Sequence, residues 1–241
     1  MIPPKCNVTI VEIMGRNAGW LTGATALSKG EDCDGPDLIY LPEVPFDIQK
    51  FGERVRELLK NRTFVCVAVS EGIRDKDGKY ICDYGDSVDF VDAFGHKQLS
   101  GTATFLAWYI KGEIGCKTRA IELSSMQRSA SHLASRIDIL EATQVGGAAV
   151  KAADEGDTGK MVVLKRVSDD PYQCSTEVKD VHRIANDEKC VPLDWITEDG
   201  SYVTDAFVSY VEPLIQGDVY PIIVSGIPRH LYAPKELNHW K

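Results

Sequence analysis

The stretch Val8-Thr9-Ile10-Val11-Glu12-Ile13-Met14-Gly15-Arg16-Asn17-Ala18-Gly19-Trp20 decides how the rest of the chain is read. Residues 8–13 are β-branched and apolar, which predicts a buried strand. Two glycines with an arginine between them follow, and then a helix-like segment over residues 20–28. Strand, glycine turn and helix put the turn at a strand's carboxyl end, where open α/β sheets bind ligands. Gly15 lets backbone approach a ligand closely, and Arg16 offers a planar fork for phosphate or hydroxyl oxygens. The plainer reading is a strand-to-helix turn whose arginine caps a sheet edge.

Working outward, strand and helix signals alternate, the pattern of an α/β domain. Residues 38–41 form a second apolar strand stopped by Pro42. Residues 47–61 form an amphipathic helix with Asp47 as N-cap and Phe51, Val55, Leu58 and Leu59 on its apolar face. Residues 64–69 are a continuous apolar strand, buried on both faces as in a parallel sheet. Residues 74–79 are a charged turn without the ligand spacing of a calcium loop. A helix over 100–113, a strand over 118–123, a helix over 137–153 and a strand over 161–165 complete the first part. Beyond Ser168 the chain is polar and turn-rich, with a short strand near 177–181 and a helix near 204–214. The expected division is therefore residues 1–167 as an α/β part, with residues 168–241 as a C-terminal extension packing back on it.

A length of 241 residues is enough to bury a full core, and 44% hydrophobic with 26% charged residues is ordinary for a water-soluble domain. A net charge of -9 argues against a nucleic-acid partner, whose phosphates would be repelled, but local arginines can still hold a small phosphorylated ligand. No apolar run approaches the roughly 18–20 residues of a membrane span. Residues 1–5 lack the apolar core of a signal peptide, so a cytoplasmic location is expected. The seven cysteines, Cys6, Cys33, Cys66, Cys82, Cys116, Cys174 and Cys190, are widely spaced with no Cys-x-x-Cys pair. That pattern fits a reducing compartment and neither a disulfide framework nor a structural zinc site.

Two further places carry chemistry. Glu71 follows the buried strand 64–69, beside Gly72, so its carboxylate faces the ligand crevice, where it accepts hydroxyl hydrogen bonds or simply caps a loop. Arg119 lies near the start of the strand 118–123, and Arg128 lies in Ser125-Met126-Gln127-Arg128-Ser129 after its end. A strand of that length spans about 20 Å, so the two arginines cannot share one phosphate within a subunit. The plain reading of each is a surface ion pair, which contributes little.

The sequence 11–20, followed by Gly35-Pro36-Asp37-Leu38-Ile39-Tyr40-Leu41-Pro42-Glu43-Val44-Pro45-Phe46, resembles the 6-phosphofructokinase family, above all the longer bacterial branch with its pyrophosphate-dependent enzymes. The resemblance runs from residue 8 to 229 and covers only the later part of the family pattern. It implies an α/β fold of phosphofructokinase-like parallel sheet layers flanked by helices, incomplete relative to the family. It implies phosphoryl transfer from pyrophosphate or ATP to the 1-hydroxyl of fructose 6-phosphate, with Mg2+, in a homo-oligomer. By family position Met14, Gly15 and Arg16 stand near the reacting end, Arg16 neutralising charge there. Glu71 binds a fructose hydroxyl, Ser125 and Arg128 hold the 6-phosphate, and Arg119 reaches a neighbouring subunit's sugar phosphate. Asp37, Lys60 and Arg62 fall where ATP-dependent members bind an effector nucleotide.

The sequence departs from the family pattern in several places. Ser125 replaces a histidine of many ATP-dependent members, and Asn7 replaces an arginine, with Lys5 and His132 as candidate substitutes. The Gly-Gly-Asp donor loop, the glycine-rich first turn and the Thr-Ile-Asp-Asn-Asp segment with the catalytic base have no match. The alternative is therefore a non-catalytic chain that binds only sugar phosphate or pairs with a donor-binding chain.

Overall fold

The structure is a computed structural model that describes residues 5–85 and 99–229. The leading residues of the signal-peptide argument and the last twelve of the C-terminal extension, 230–241, lie outside the described residues. Four strands form a fully parallel sheet: β1 (Asn7–Ile13), β2 (Leu38–Tyr40), β3 (Phe64–Ser70) and β4 (Lys117–Glu122), in the spatial order β2-β3-β1-β4. β1 and β3 are the interior strands, which is why both read as continuous apolar runs. β4 is the edge of the described sheet and alternates exposed and half-buried residues.

One face of the sheet carries two helices. α2 (Ile48–Leu58) is capped by Asp47, whose Oδ1 accepts from the backbone N–H of Gln49 (2.9 Å) and Lys50 (3.1 Å). It is shorter than the expected 47–61, ending in a tight turn in which Lys60 N donates to Glu57 O (3.1 Å). α3 (Thr102–Ile114) is closed by Gly115 in the left-handed region, φ 77°. Val8, Ile10, Val65, Val67 and Val69 meet Phe51, Val55, Leu106 and Ile110 there in a dry core.

The opposite face is covered by later chain. Ile13, Ile39, Leu41 and Ala68 pack against Val191, Ile196, Val203 and Phe207, with Phe207 fully buried. Phe207 belongs to α6 (Asp205–Val211), which continues as a 3-10 turn Glu212–Ile215, one residue past the expected 204–214 region. Beside its ring an expectation is corrected. The predicted helix over 20–28 splits into a one-turn helix α1 (Trp20–Gly23) and a 3-10 turn Ala24–Ser28. The ring lies where a side chain at residue 23 would be: a Cβ on Gly23 would fall 2.4 Å from the Phe207 Cζ. The hydroxyls of Thr25 and Ser28 then bond the carbonyls three residues back, at 2.5 and 2.7 Å, which suits the tighter winding.

After β4 come a short helix α4 (Ser124–Arg128) and a long helix α5 (Arg136–Asp154), whose Ser135 N-cap accepts from Asp138 N (3.2 Å). Two strands follow, longer than the sequence predicted: β5 (Lys160–Asp169) and β6 (Tyr172–Asp180) pair as an antiparallel hairpin. Polar residues around 168–176 read as loop, yet the ladder between strands satisfies the backbone regardless of side chain. Arg166 ties the hairpin to α6. Its guanidinium lies 4.9 Å from the Tyr172 ring and 4.5 Å from the Tyr210 ring, and Nη1 donates to Tyr210 O (2.6 Å). A two-residue pairing of β7 (Ile223–Val224) with β8 (Ile227–Pro228) ends the described chain. Among the described residues no helix is long and apolar enough to cross a membrane.

Candidate active site

With β1 flanked by β3 and β4, all parallel, the segments that leave the three carboxyl ends must converge. They are 14–16 after β1, 70–72 after β3 and 123–128 after β4. The ladder runs one residue past each strand: Glu71 N donates to Ile13 O (3.0 Å) and Leu123 N to Glu12 O (3.3 Å). Side chains then bind the loops together. Gly15 N donates to Glu71 Oε1 (3.3 Å), Met14 N donates to Gln127 Oε1 (2.9 Å), and the Ser70 hydroxyl donates to Gly15 O.

Gly72 is the tightest point. A side chain there would place its Cβ 1.7 Å from Arg16 O, so the backbone of residue 72 is seated directly against that of Arg16. This contact accounts for the glycine, since every other residue would displace the loop that presents the arginine.

These loops form one wall of an open cavity of about 1,910 Å³, lined by Met14, Gly15, Arg16, Glu71, Gln127 and Arg128, with His132 beside them. Burial pushes the Glu71 carboxyl above the ordinary carboxylate range, and the Gly15 N–H and the positive charges of Arg16 and Arg128 pull it back. One carboxylate therefore shares its cavity with two guanidinium charges. That arrangement offers an acceptor for hydroxyls beside cationic groups for a phosphate.

Other candidate residues lie away from this cavity. Arg119 is exposed on β4 in register with Thr9, toward the amino side of the sheet, and does not line the cavity. Asn7 begins β1 at that same side. Ser125 is exposed in the first turn of α4 and is likewise outside the cavity lining. The Asp37, Lys60 and Arg62 group lines a second cavity, about 1,000 Å³, near the amino ends of the strands. There Asp37 is already engaged: it pairs with Arg62, and its Oδ2 accepts from Cys66 N (2.8 Å). Its side chain, 6% exposed, thus has a structural role that needs no ligand.

Several residues of consequence were missed. Glu12 is buried on β1, where its Oε2 accepts from Ala103 N in the first turn of α3 (2.9 Å). Burial, with Glu122 and Glu71 nearby, raises its carboxyl to about 7 against the Ala103 hydrogen bond. An acidic residue continuing the Val8, Ile10 face of an otherwise apolar strand was the available signal. Gln127 was signalled only by sitting next to Arg128. Asn17, Glu43 and Glu188, which fix the far end of the Arg16 loop, carried no local signal of their role. The described residues gather no cluster of three or more His, Cys, Asp or Glu suited to a metal ion.

The site is an open crevice at the carboxyl edge of a parallel α/β sheet, with a glycine-braced arginine loop, a carboxylate and a second arginine. Sequence comparison gives the family: the phosphofructokinase profile matches residues 5–153, and the chain belongs to the phosphofructokinase family. It is 40% identical over 229 residues to a pyrophosphate–fructose 6-phosphate 1-phosphotransferase of Halomonas elongata, covering 95% of this chain and 54% of that protein. It is 39% identical over 248 residues to the protein of the same name from Xanthomonas campestris pv. campestris, covering 100% of this chain and 58% of that one. Among solved structures, a pyrophosphate-dependent phosphofructokinase from Nitrosospira multiformis superposes with a TM-score of 0.80 at 34% identity, covering 95% of this chain and 53% of that one. The chain thus spans about half the length of the relatives it matches.

Proposed function

We propose that these residues form the acceptor side of a phosphofructokinase, binding fructose 6-phosphate for phosphoryl transfer to its 1-hydroxyl. The observation that carries this is the convergence of Arg16, Glu71 and Arg128 on one cavity at the carboxyl edge of β3, β1 and β4. Glu71 accepts from sugar hydroxyls, Arg128 binds the 6-phosphate, and Arg16, held by the Gly72 contact, faces charge that develops at the reacting end. Fixing the acceptor in this way lowers the barrier by orientation, with an effect of several kcal/mol where alignment is good. Met14 and Gly15 shape the floor beneath the sugar. Pyrophosphate is the donor we favour, since the relatives that match most of this chain carry that name, while an ATP-dependent 6-phosphofructokinase of Streptomyces coelicolor matches over 66% of it. Donor contacts and Mg2+ are assigned to segments of the relatives that these residues do not span.

Two further assignments belong to this reading. Arg119, outside the cavity lining, serves a neighbour's sugar phosphate in a homo-oligomer, and Ser125 acts with Arg128 on the 6-phosphate of its own subunit. The protein works in the cytoplasm, with residues 1–167 supplying the sugar-phosphate contacts and residues 168–241 supporting them, although the β5–β6 hairpin straddles that division. The test is titration of Arg128→Ala and Glu71→Ala variants with fructose 6-phosphate. Each is expected to weaken binding by at least about tenfold, as for loss of a charged hydrogen bond. Unchanged affinity in Arg128→Ala would sink the assignment.

A further inference from the structure

We propose that Glu188, from the segment between β6 and the second core, is a positioning residue for the Met14–Arg16 loop, acting through the side-chain amide of Asn17. The proposal rests on the reading of the cavity as a sugar-phosphate site. Asn17 directly follows Arg16, and both ends of its amide are engaged. Nδ2 donates to the Glu188 carboxylate, and Oδ1 accepts from Arg74 Nη2 (3.1 Å). Arg74 is itself fixed, donating to Tyr80 OH (2.5 Å) and lying 4.3 Å from the centre of that ring. A cationic donor on one side and an anionic acceptor on the other leave the amide one orientation.

Glu188 does not act alone. The next residues form a strap that follows the loop toward α1. Lys189 O accepts from Trp20 Nε1 (2.6 Å), and the Cys190 thiol contacts Asn17 O (3.7 Å). Glu43 Oε1 accepts from both Gly19 N (2.8 Å) and Val191 N (2.9 Å), so one half-buried carboxylate joins the loop's end to the strap. Behind it Trp20 packs among Trp195, Phe207 and Tyr210, with ring centres 5.4–6.2 Å from its own. The loop 14–20 is thus fixed at its start by Glu71, Gln127 and Ser70, and at its end by Glu43 and the strap. Arg16 sits between these anchors, next to the residue Glu188 holds. Because Glu188 is exposed and lies outside the cavity lining, its contribution to ligand binding passes through Asn17.

The purified chain carrying Glu188→Ala, Glu188→Gln, Asn17→Ala or the double change Asn17→Ala/Glu188→Ala is titrated with fructose 6-phosphate. Denaturation midpoints and amide hydrogen exchange are measured on the same samples. Glu188→Ala and Asn17→Ala are each expected to weaken binding about fivefold, and the double variant no further, because the two residues act as one unit. Glu188→Gln keeps an oxygen acceptor and restores affinity to within about twofold of the parent. Midpoints stay unchanged. Parent-like binding by Glu188→Ala, additive losses in the double variant, or equal losses in Glu188→Gln and Glu188→Ala would each overturn the proposal. Should the parent chain bind no fructose 6-phosphate, the reading of the cavity fails, and exchange at residues 15–19 decides the positioning role. Faster exchange in Glu188→Ala than in Glu188→Gln supports it, and equal exchange rejects it.

Discussion

At the scale of single residues, Glu12 and Gly72 make the sharpest claims. Glu12 is a carboxyl buried between β1 and α3, raised to about 7 by desolvation despite the N–H of Ala103. The unfolded chain titrates it near the ordinary value of about 4.3. Between these values the native state holds a proton that the unfolded state has released. Its contribution to stability is therefore fully present below about pH 4.3 and is lost as pH rises through about 7. Glu12→Gln should flatten the decline of stability across that interval, read from urea midpoints at successive pH values. An unaltered slope would mean that another group carries it. Gly72→Ala forces the loop at Arg16 to move, because its Cβ has a backbone oxygen 1.7 Å away. The variant should therefore bind fructose 6-phosphate measurably more weakly while remaining folded. Parent-like titration curves would show that the contact does not govern Arg16.

At the scale of elements, the anchoring of α6 is the testable feature. Phe207 is fully buried against Gly23 and the second face of the sheet. Phe207→Ala should cost about 3–5 kcal/mol by calorimetry or denaturant titration, the usual range for emptying such a site. A loss under about 1 kcal/mol would mean that α6 is not integral to the core. This scale also shows what the sequence discloses. β1, β3 and the Asp47 cap of α2 were legible, because apolar strands buried on both faces and a capped amphipathic helix are local signals. The split of the 20–28 helix was not, since it goes with side-chain bonds from Thr25 and Ser28 to carbonyls three residues back, which apolar periodicity does not register. The full β5–β6 hairpin was hidden for another reason: its residues are exposed or half-buried and largely polar, so the apolar run that marks a strand ends well before the backbone ladder does. In the site, Arg16, Glu71 and Arg128 were legible from their places at strand ends. Asn17, Glu43 and Glu188 were not, because their partners are distant in sequence and nothing local marks the pairing.

At the scale of the whole molecule, a chain with net charge -9 brings Arg16 and Arg128 to one cavity at the carboxyl edge of its sheet. Arg128 lines that cavity and Arg119 does not, so the two should differ in how they depend on assembly. Arg128→Ala should weaken sugar-phosphate binding whatever the oligomeric state, whereas Arg119→Ala should do so only in material that sediments as an oligomer. Weakened binding by monomeric Arg119→Ala would contradict the cross-subunit role.

The most direct measurement is calorimetric titration of the purified chain with fructose 6-phosphate, beside its Arg128→Ala variant. The acceptor-site account predicts saturable binding by the parent and its loss in the variant. No heat from the parent, or equal affinity in both, would contradict it.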